Sequence, residues 1–130
     1  MKSNSPCPCG SGCTFDQCCK PCITGTTPAT TAEQLMRSRY TAHVIQDETY
    51  LLKSWHPSTR PATLSLDKEN TKWIGLKIIH CSAGKAGDET GEVEFVARYK
   101  INGKAHRLHE NSRFRYEWDS WLYMDGDVLD

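Results

Sequence analysis

Six of the chain's seven cysteines fall between positions 7 and 22, in the run Cys7-Pro8-Cys9-Gly10-Ser11-Gly12-Cys13-Thr14-Phe15-Asp16-Gln17-Cys18-Cys19-Lys20-Pro21-Cys22. Thiolates are soft ligands, and four of them close a tetrahedral shell around Zn²⁺ with no position left for water. Cys7 and Cys9 form one close pair, and Cys18 and Cys19 form another. Gly10-Ser11-Gly12 is suited to the tight turn between them, because glycine reaches positive φ without strain. The backbone N–H groups of that turn are then free to point at sulfur and spread its charge. Cys13 and Cys22 are left over, so other pairings, Cys18 with Cys22 among them, stay open. A disulfide framework is the other reading of such a run. Metal is favoured by the spacing and by the absence of an apolar leader behind Met1-Lys2-Ser3-Asn4-Ser5, which implies a reducing cytoplasm. An iron–sulfur cluster fits the spacing poorly.

The run resembles the SEC-C motif, the zinc knuckle at the end of the SecA translocation ATPase. The match is Cys-x-Cys-Gly-Ser-Gly, an aromatic at Phe15, then Cys-Cys. The resemblance implies a structural zinc site with Cys7, Cys9, Cys18 and Cys19 as ligands. Cys19 stands where the last ligand is often His, and Cys13 stands where a basic residue is usual.

At 130 residues the chain has room for one ordinary domain beside this element. Sixteen basic and sixteen acidic residues give no net charge, which argues against a dedicated nucleic-acid binder. No apolar run approaches membrane-spanning length. Ile23 to Thr31 is rich in threonine, with a glycine and a proline, and reads as a linker. The expected division is a knuckle over 1–23, a linker over 24–31 and the main domain over 32–130. A loosely tethered knuckle is the expectation.

A helix is predicted from Thr30 or Thr31, with Glu33 or Gln34 at the capping-box spacing. Leu35, Met36, Tyr40, Val44 and Ile45 share one side of it, with Arg37, Ser38 and Arg39 on or beside the other. Asp47 is predicted to cap a second helix through Trp55, ended by Pro57. The period then changes to two. Trp73 to Cys81 places Ile74, Leu76, Ile78 and His80 on one face. Glu92 to Ile101 places Val93, Phe95, Ala97 and Tyr99 together. Asn102-Gly103 is a hairpin turn, Lys104 to Trp118 a returning strand, Asp119-Ser120 a second turn and Trp121 to Met124 a last strand. Asp125 to Asp130 reads as an acidic tail. Helices followed by an antiparallel meander mean an α+β fold, two helices packed on one face of a curved sheet.

That order resembles the cystatin-like cone of nuclear transport factor 2. Together with the knuckle, the segments Leu35-Met36-Arg37-Ser38-Arg39-Tyr40, Tyr50 to Ser58, and Phe95-Val96-Ala97-Arg98-Tyr99 with Ser112-Arg113-Phe114 resemble the bacterial YchJ-like family. Members of it often carry a second SEC-C knuckle at the C-terminus, and none is expected before Asp130. The resemblance implies a fold and a zinc site, and no biochemical activity.

On the long strand, His106, Leu108, Glu110, Ser112, Phe114, Tyr116 and Trp118 share one face by alternation. Glu110 is therefore predicted to point inward, paired with Arg37 or Arg39 or else lining a cavity. His80 and His56 are the candidate acid–base partners for Glu110. Cys81 is expected to be a small buried apolar residue facing away from His80. The leading expectation is a zinc-binding interaction module with a protein partner at the knuckle and a small apolar ligand in the cone. The alternatives are a small-molecule enzyme of isomerase or hydrolase type built on Glu110, and a thiol redox or zinc sensor using Cys13 and Cys22.

Overall fold

The computed structural model describes residues 4–64, 66 and 70–129. Its elements follow the order of helices, then strands. A short 3₁₀ turn, Phe15–Gln17, precedes α1 (Cys19–Thr24), α2 (Ala32–Ile45) and α3 (Glu48–Lys53). Then come β1 (Thr71–Ala83), β2 (Thr90–Ile101), β3 (Lys104–Glu117) and β4 (Ser120–Leu129). The strands form one antiparallel sheet in sequence order. The fold is α+β, as predicted, with one helix more than expected because the cysteine run itself ends in α1.

Both main helices start where capping chemistry says they should. The Thr31 hydroxyl accepts from the Gln34 N–H at 3.1 Å, and the Gln34 side chain reaches back to the Thr30 N–H at 2.6 Å. The Asp47 carboxylate accepts from the Tyr50 N–H at 3.0 Å. Helix α3 stops at Lys53, two residues earlier than Trp55. The chain then turns onto the edge of β4, where the His56 N–H donates to the Tyr123 carbonyl and the Tyr123 N–H to that of Ser54, both at 2.8 Å. This covers an otherwise open sheet edge.

Strand β2 alternates as expected, with Val93, Phe95 and Ala97 buried. Strand β1 does not. Its register slips between Trp73 and Gly75 and again between Ile78 and His80, so the period of two breaks twice. Trp73, Leu76 and Ile78 face the core, while Ile74 is 48 % and Ile79 46 % exposed. The hairpin at Asn102-Gly103 has positive φ at both residues, as a type I′ turn requires. The next turn uses Trp118-Asp119, both again at positive φ, one residue earlier than predicted. The inward face of β3 therefore ends near Phe114, and Tyr116 and Trp118 are exposed.

The expected acidic tail is mostly strand. Arg113 donates from Nε to Asp125 at 2.6 Å and from Nη1 to Asp127 at 2.7 Å across the β3–β4 ladder. Neutralised in this way, the aspartates pair where like charges would repel. Asp130 lies outside the described residues. No helix among the described residues is long and apolar enough to cross a membrane.

The knuckle is not loosely tethered. Cys7, Cys9, Phe15 and Cys19 belong to the same buried cluster as Leu35, Met36, Tyr40, Phe95 and Phe114. Ala42, Tyr50 and Leu51 make a second, smaller cluster where α2 meets α3.

The Arg113 clamp is exposed and sits at the end of the sheet. Arg113→Ala should leave the melting temperature nearly unchanged but speed amide exchange across 125–129, read by hydrogen exchange.

Candidate metal centre

The Sγ atoms of Cys7, Cys9, Cys18 and Cys19 all lie within 4.8 Å of one another. Cys9 is fully buried, Cys7 and Cys19 nearly so, and Cys18 reaches the surface. The geometry follows from the local backbone. Gly10 (φ 78°) and Gly12 (φ 90°) take the left-handed conformations that reverse the chain between the pairs. The Cys7 N–H donates to the Cys13 carbonyl at 2.9 Å and the Phe15 N–H to that of Ser5 at 2.9 Å, closing the loop. The 3₁₀ turn and α1 then carry Cys18 and Cys19 back beneath it. Cys22, also on α1, is buried outside the group of four, and Cys13 is exposed. All seven cysteines are free thiols.

Polar groups surround the sulfurs. The Ser11 hydroxyl accepts from the Cys13 N–H at 3.2 Å and lies 3.1 Å from Cys18 Sγ. Thr41 Oγ1, from α2, lies 3.7 Å from Cys7 Sγ. Arg37 donates from Nη1 to the Cys9 carbonyl at 2.8 Å, and its Nε pairs with Glu33 at 3.0 Å. The Cys9 thiol is held far below its ordinary range by hydrogen bonds from Cys19, then Cys7, with the Ser11 hydroxyl and amide adding to them. Cys18 is pushed up to about 11, first by burial, with the negative charge at Cys9 adding to it. Cys19 is pushed far up by its hydrogen bonds to Cys7 and Cys9 and by burial. One thiolate in this cluster thus opposes the ionisation of its neighbours, and a bound cation removes that opposition. Four soft donors turned inward on one point could hold a metal ion.

The other predicted site residues do not share a place. Glu110 lines a cavity between α2 and the inner face of the sheet. Its Oε2 accepts from the Ser112 hydroxyl at 2.5 Å and from the Tyr123 hydroxyl at 3.4 Å. No arginine among the described residues pairs with it. Arg37 is engaged at the knuckle, and Arg39 faces the same cavity without touching the carboxylate. His80 is exposed, because the second bulge of β1 turns it off the apolar face. His56 is buried elsewhere, its Nε2 2.8 Å from Glu117 Oε2 and its ring stacked on Trp118. The Ser58 N–H donates to Nδ1, so Nε2 is the nitrogen that donates to Glu117. Cys81 is exposed rather than buried, with Sγ 3.5 Å from Glu33 Oε1.

One cavity residue, His43, escaped the sequence reading, and Arg39, offered there both on the polar side of α2 and as a partner of Glu110, is only 5 % exposed and lines the cavity without pairing. His43 stands one turn further on and packs at 5.5 Å against Trp73. The signal was present: Leu35, Met36, Arg39, Tyr40 and His43 follow the i, i+1, i+4, i+5, i+8 stripe of one helix face.

A family model described as YchJ, middle NTF2-like domain, matches residues 31–126. A UPF0225 protein of Chromobacterium violaceum is 48% identical over 129 residues, covering 98% of this chain and 96% of its own length. A UPF0225 protein of Streptomyces coelicolor is 47% identical, covering 96% and 97%. The solution structure of a SEC-C motif containing protein from Rhodopseudomonas palustris superposes with a TM-score of 0.83 at 33% identity, covering 95% of this chain and 98% of that one. The crystal structure of a SEC-C motif containing protein from Psychrobacter arcticus gives 0.79 at 27% identity, covering 98% and 85%.

Burial, and after it the charge of Arg39, holds the His43 imidazole down to about 4 from its ordinary 6.5. Below pH about 6.5 the unfolded chain takes up a proton that the folded chain refuses until about pH 4. His43 should therefore cost stability as the pH falls through that window, on the order of 3 kcal/mol in all. His43→Gln should lose this part of the slope, so urea midpoints of the two proteins should converge as the pH falls from 7 to 4.

Proposed function

The chain belongs to the YchJ family, with its middle NTF2-like domain over residues 31–126, and from that premise we propose that it is a zinc-dependent binding module whose knuckle docks a protein partner. The observation that carries this reading is the convergence of four thiols within 4.8 Å. Zinc–sulfur bonds of about 2.3 Å put the sulfurs of a tetrahedron about 3.8 Å apart. The Cys9–Cys18 and Cys18–Cys19 separations, 3.6 and 3.9 Å, bracket that spacing. Four thiolates around Zn²⁺ leave a net charge of about −2, and the Arg37 guanidinium one bond from the Cys9 carbonyl offsets part of it. The shell has no open position for substrate, so the zinc is structural and its work is to hold shape.

What it shapes is the surface of the loop. Gly10 to Cys13, Asp16 and Gln17 are exposed above the cluster, while Phe15 anchors the loop in the core. A loop with no core of its own, fixed from below by metal and α2, is preorganised for contact and loses little freedom on binding. The structural neighbours named for the SEC-C motif carry the same kind of element.

Purified protein should contain one zinc per chain by elemental analysis, with Cys13 and Cys81 reacting at once with a thiol reagent and buried Cys22 slowly. Cys9→Ser should release the metal and lower the melting temperature of the whole chain in one transition, since the knuckle shares the core. Metal-free protein with an unchanged melt would overturn the structural role. A photo-crosslinking residue at Gln17 should give one defined protein adduct in cells, lost in the Cys9→Ser background.

A further inference from the structure

The cavity facing α2 has a volume of about 240 Å³. Aromatic rings of Tyr40, Trp55, Trp73, Phe95 and Tyr123 stand around it. Two charged groups break that apolar surface, Arg39 on α2 and Glu110 on β3. Arg39 is buried and Glu110 half-buried, and each is hydrogen-bonded through one of its atoms only, Nη1 and Oε2.

Arg39 is 5 % exposed. Both of its hydrogen bonds to described residues leave from Nη1, to the Leu51 carbonyl and to Ser54 Oγ, each at 2.7 Å. The Trp55 ring lies 5.1 Å and the Tyr123 ring 4.6 Å from its guanidinium carbon. No carboxylate among the described residues comes within ion-pairing distance of it. The Nε and Nη2 donors, the edge that grips a carboxylate in two parallel bonds, make no hydrogen bond to a described residue. Burial lowers the Arg39 guanidinium to about 10, which leaves it charged at neutral pH. On the facing wall Glu110 uses only Oε2, for Ser112 and Tyr123, and Oε1 has no hydrogen-bond partner among the described residues.

We propose that this cavity is a binding site for a small aromatic carboxylic acid carrying a ring hydroxyl or amino group. The carboxylate seats on the free edge of Arg39, the ring fills the aromatic box, and the ring donor reaches Glu110 Oε1. A ring between the two acidic groups keeps their charges apart, which a compact aliphatic acid does not. The apolar ligand expected from the sequence is replaced by an acid because the arginine is in the wall and not on the solvent face. This site is separate from the cysteine cluster and does not depend on the metal reading.

The experiment is a titration of the full-length protein with 4-hydroxybenzoate, followed by tryptophan emission, since Trp55 and Trp73 line the cavity. Saturable quenching is expected. The uncharged analogue 4-hydroxybenzamide should bind roughly tenfold or more weakly, because it leaves the guanidinium unpaired. Glu110→Gln should flatten the preference for 4-hydroxybenzoate over benzoate while keeping the preference for acid over amide. Arg39→Gln should abolish acid binding. Because Arg39 also ties α2 to α3, the acid-to-amide ratio of the native protein decides the matter if that variant fails to fold. Equal binding of acid and amide, or no saturable quenching by the acid into the millimolar range, overturns the proposal.

Discussion

The middle of helix α2 is covered on every side, and the rest of the molecule is arranged to cover it. Ser38, Arg39, Tyr40, Thr41 and Ala42 are five consecutive buried residues, more than a single-faced amphipathic helix allows. The sheet takes one face through Leu35, Met36, Tyr40 and Phe95. Helix α3 takes a second, where the Ser38 hydroxyl meets the Tyr50 hydroxyl at 2.6 Å and also returns to the Leu35 carbonyl at 2.8 Å. The cysteine knuckle takes a third, through Cys7 against Thr41 and Arg37 against the Cys9 carbonyl. Removing any one layer would leave buried polar groups without partners, at a cost of about 1–3 kcal/mol each.

This arrangement gives the knuckle a double role. Its sulfurs are drawn together by a loop of sixteen residues, Cys7 to Cys22, too short to bury an apolar core by itself. Packed on α2, it supplies Phe15 and three cysteines to the common cluster and receives Thr41 and Arg37 as supports. Metal binding in such an element is coupled to folding, because a preformed set of four thiolates repels itself. In the zinc-bound form proposed for this chain that coupling would extend past the loop, since the helix that backs it also backs the cavity.

Much of this was legible in the chain. Thr31 and Asp47 read as caps because a side-chain oxygen before an amphipathic run has one obvious donor to satisfy, and Asn102-Gly103 read as a turn because only such residues take positive φ at low cost. The clustering of Cys7, Cys9, Cys18 and Cys19 was visible from spacing and resemblance together. What failed were places where tertiary contacts override a local period. Two bulges in β1 cannot be seen from alternation, and they moved His80 and Ile74 to the surface. Asp125 and Asp127 read as a tail because charge predicts solvent, until Arg113 is seen beside them. Arg39 was placed by its charge when its spacing placed it in the core.

That last error bears on function. A guanidinium held between Trp55 and Tyr123 is well suited to the aromatic surroundings, since cation–π contact recovers part of the lost hydration. It does not satisfy the donors on the free edge. The two Nη1 bonds hold α2 to α3, and an apolar side chain could not make them. The free edge adds nothing to that hold and has the geometry for planar recognition of an acid. Glu110 repeats the pattern, since Ser112 and Tyr123 hold one oxygen and leave the other turned to the same space. Two opposed charges face one another across an aromatic box, close enough to stabilise each other and too far apart to pair, which is the geometry that the proposed acid would complete.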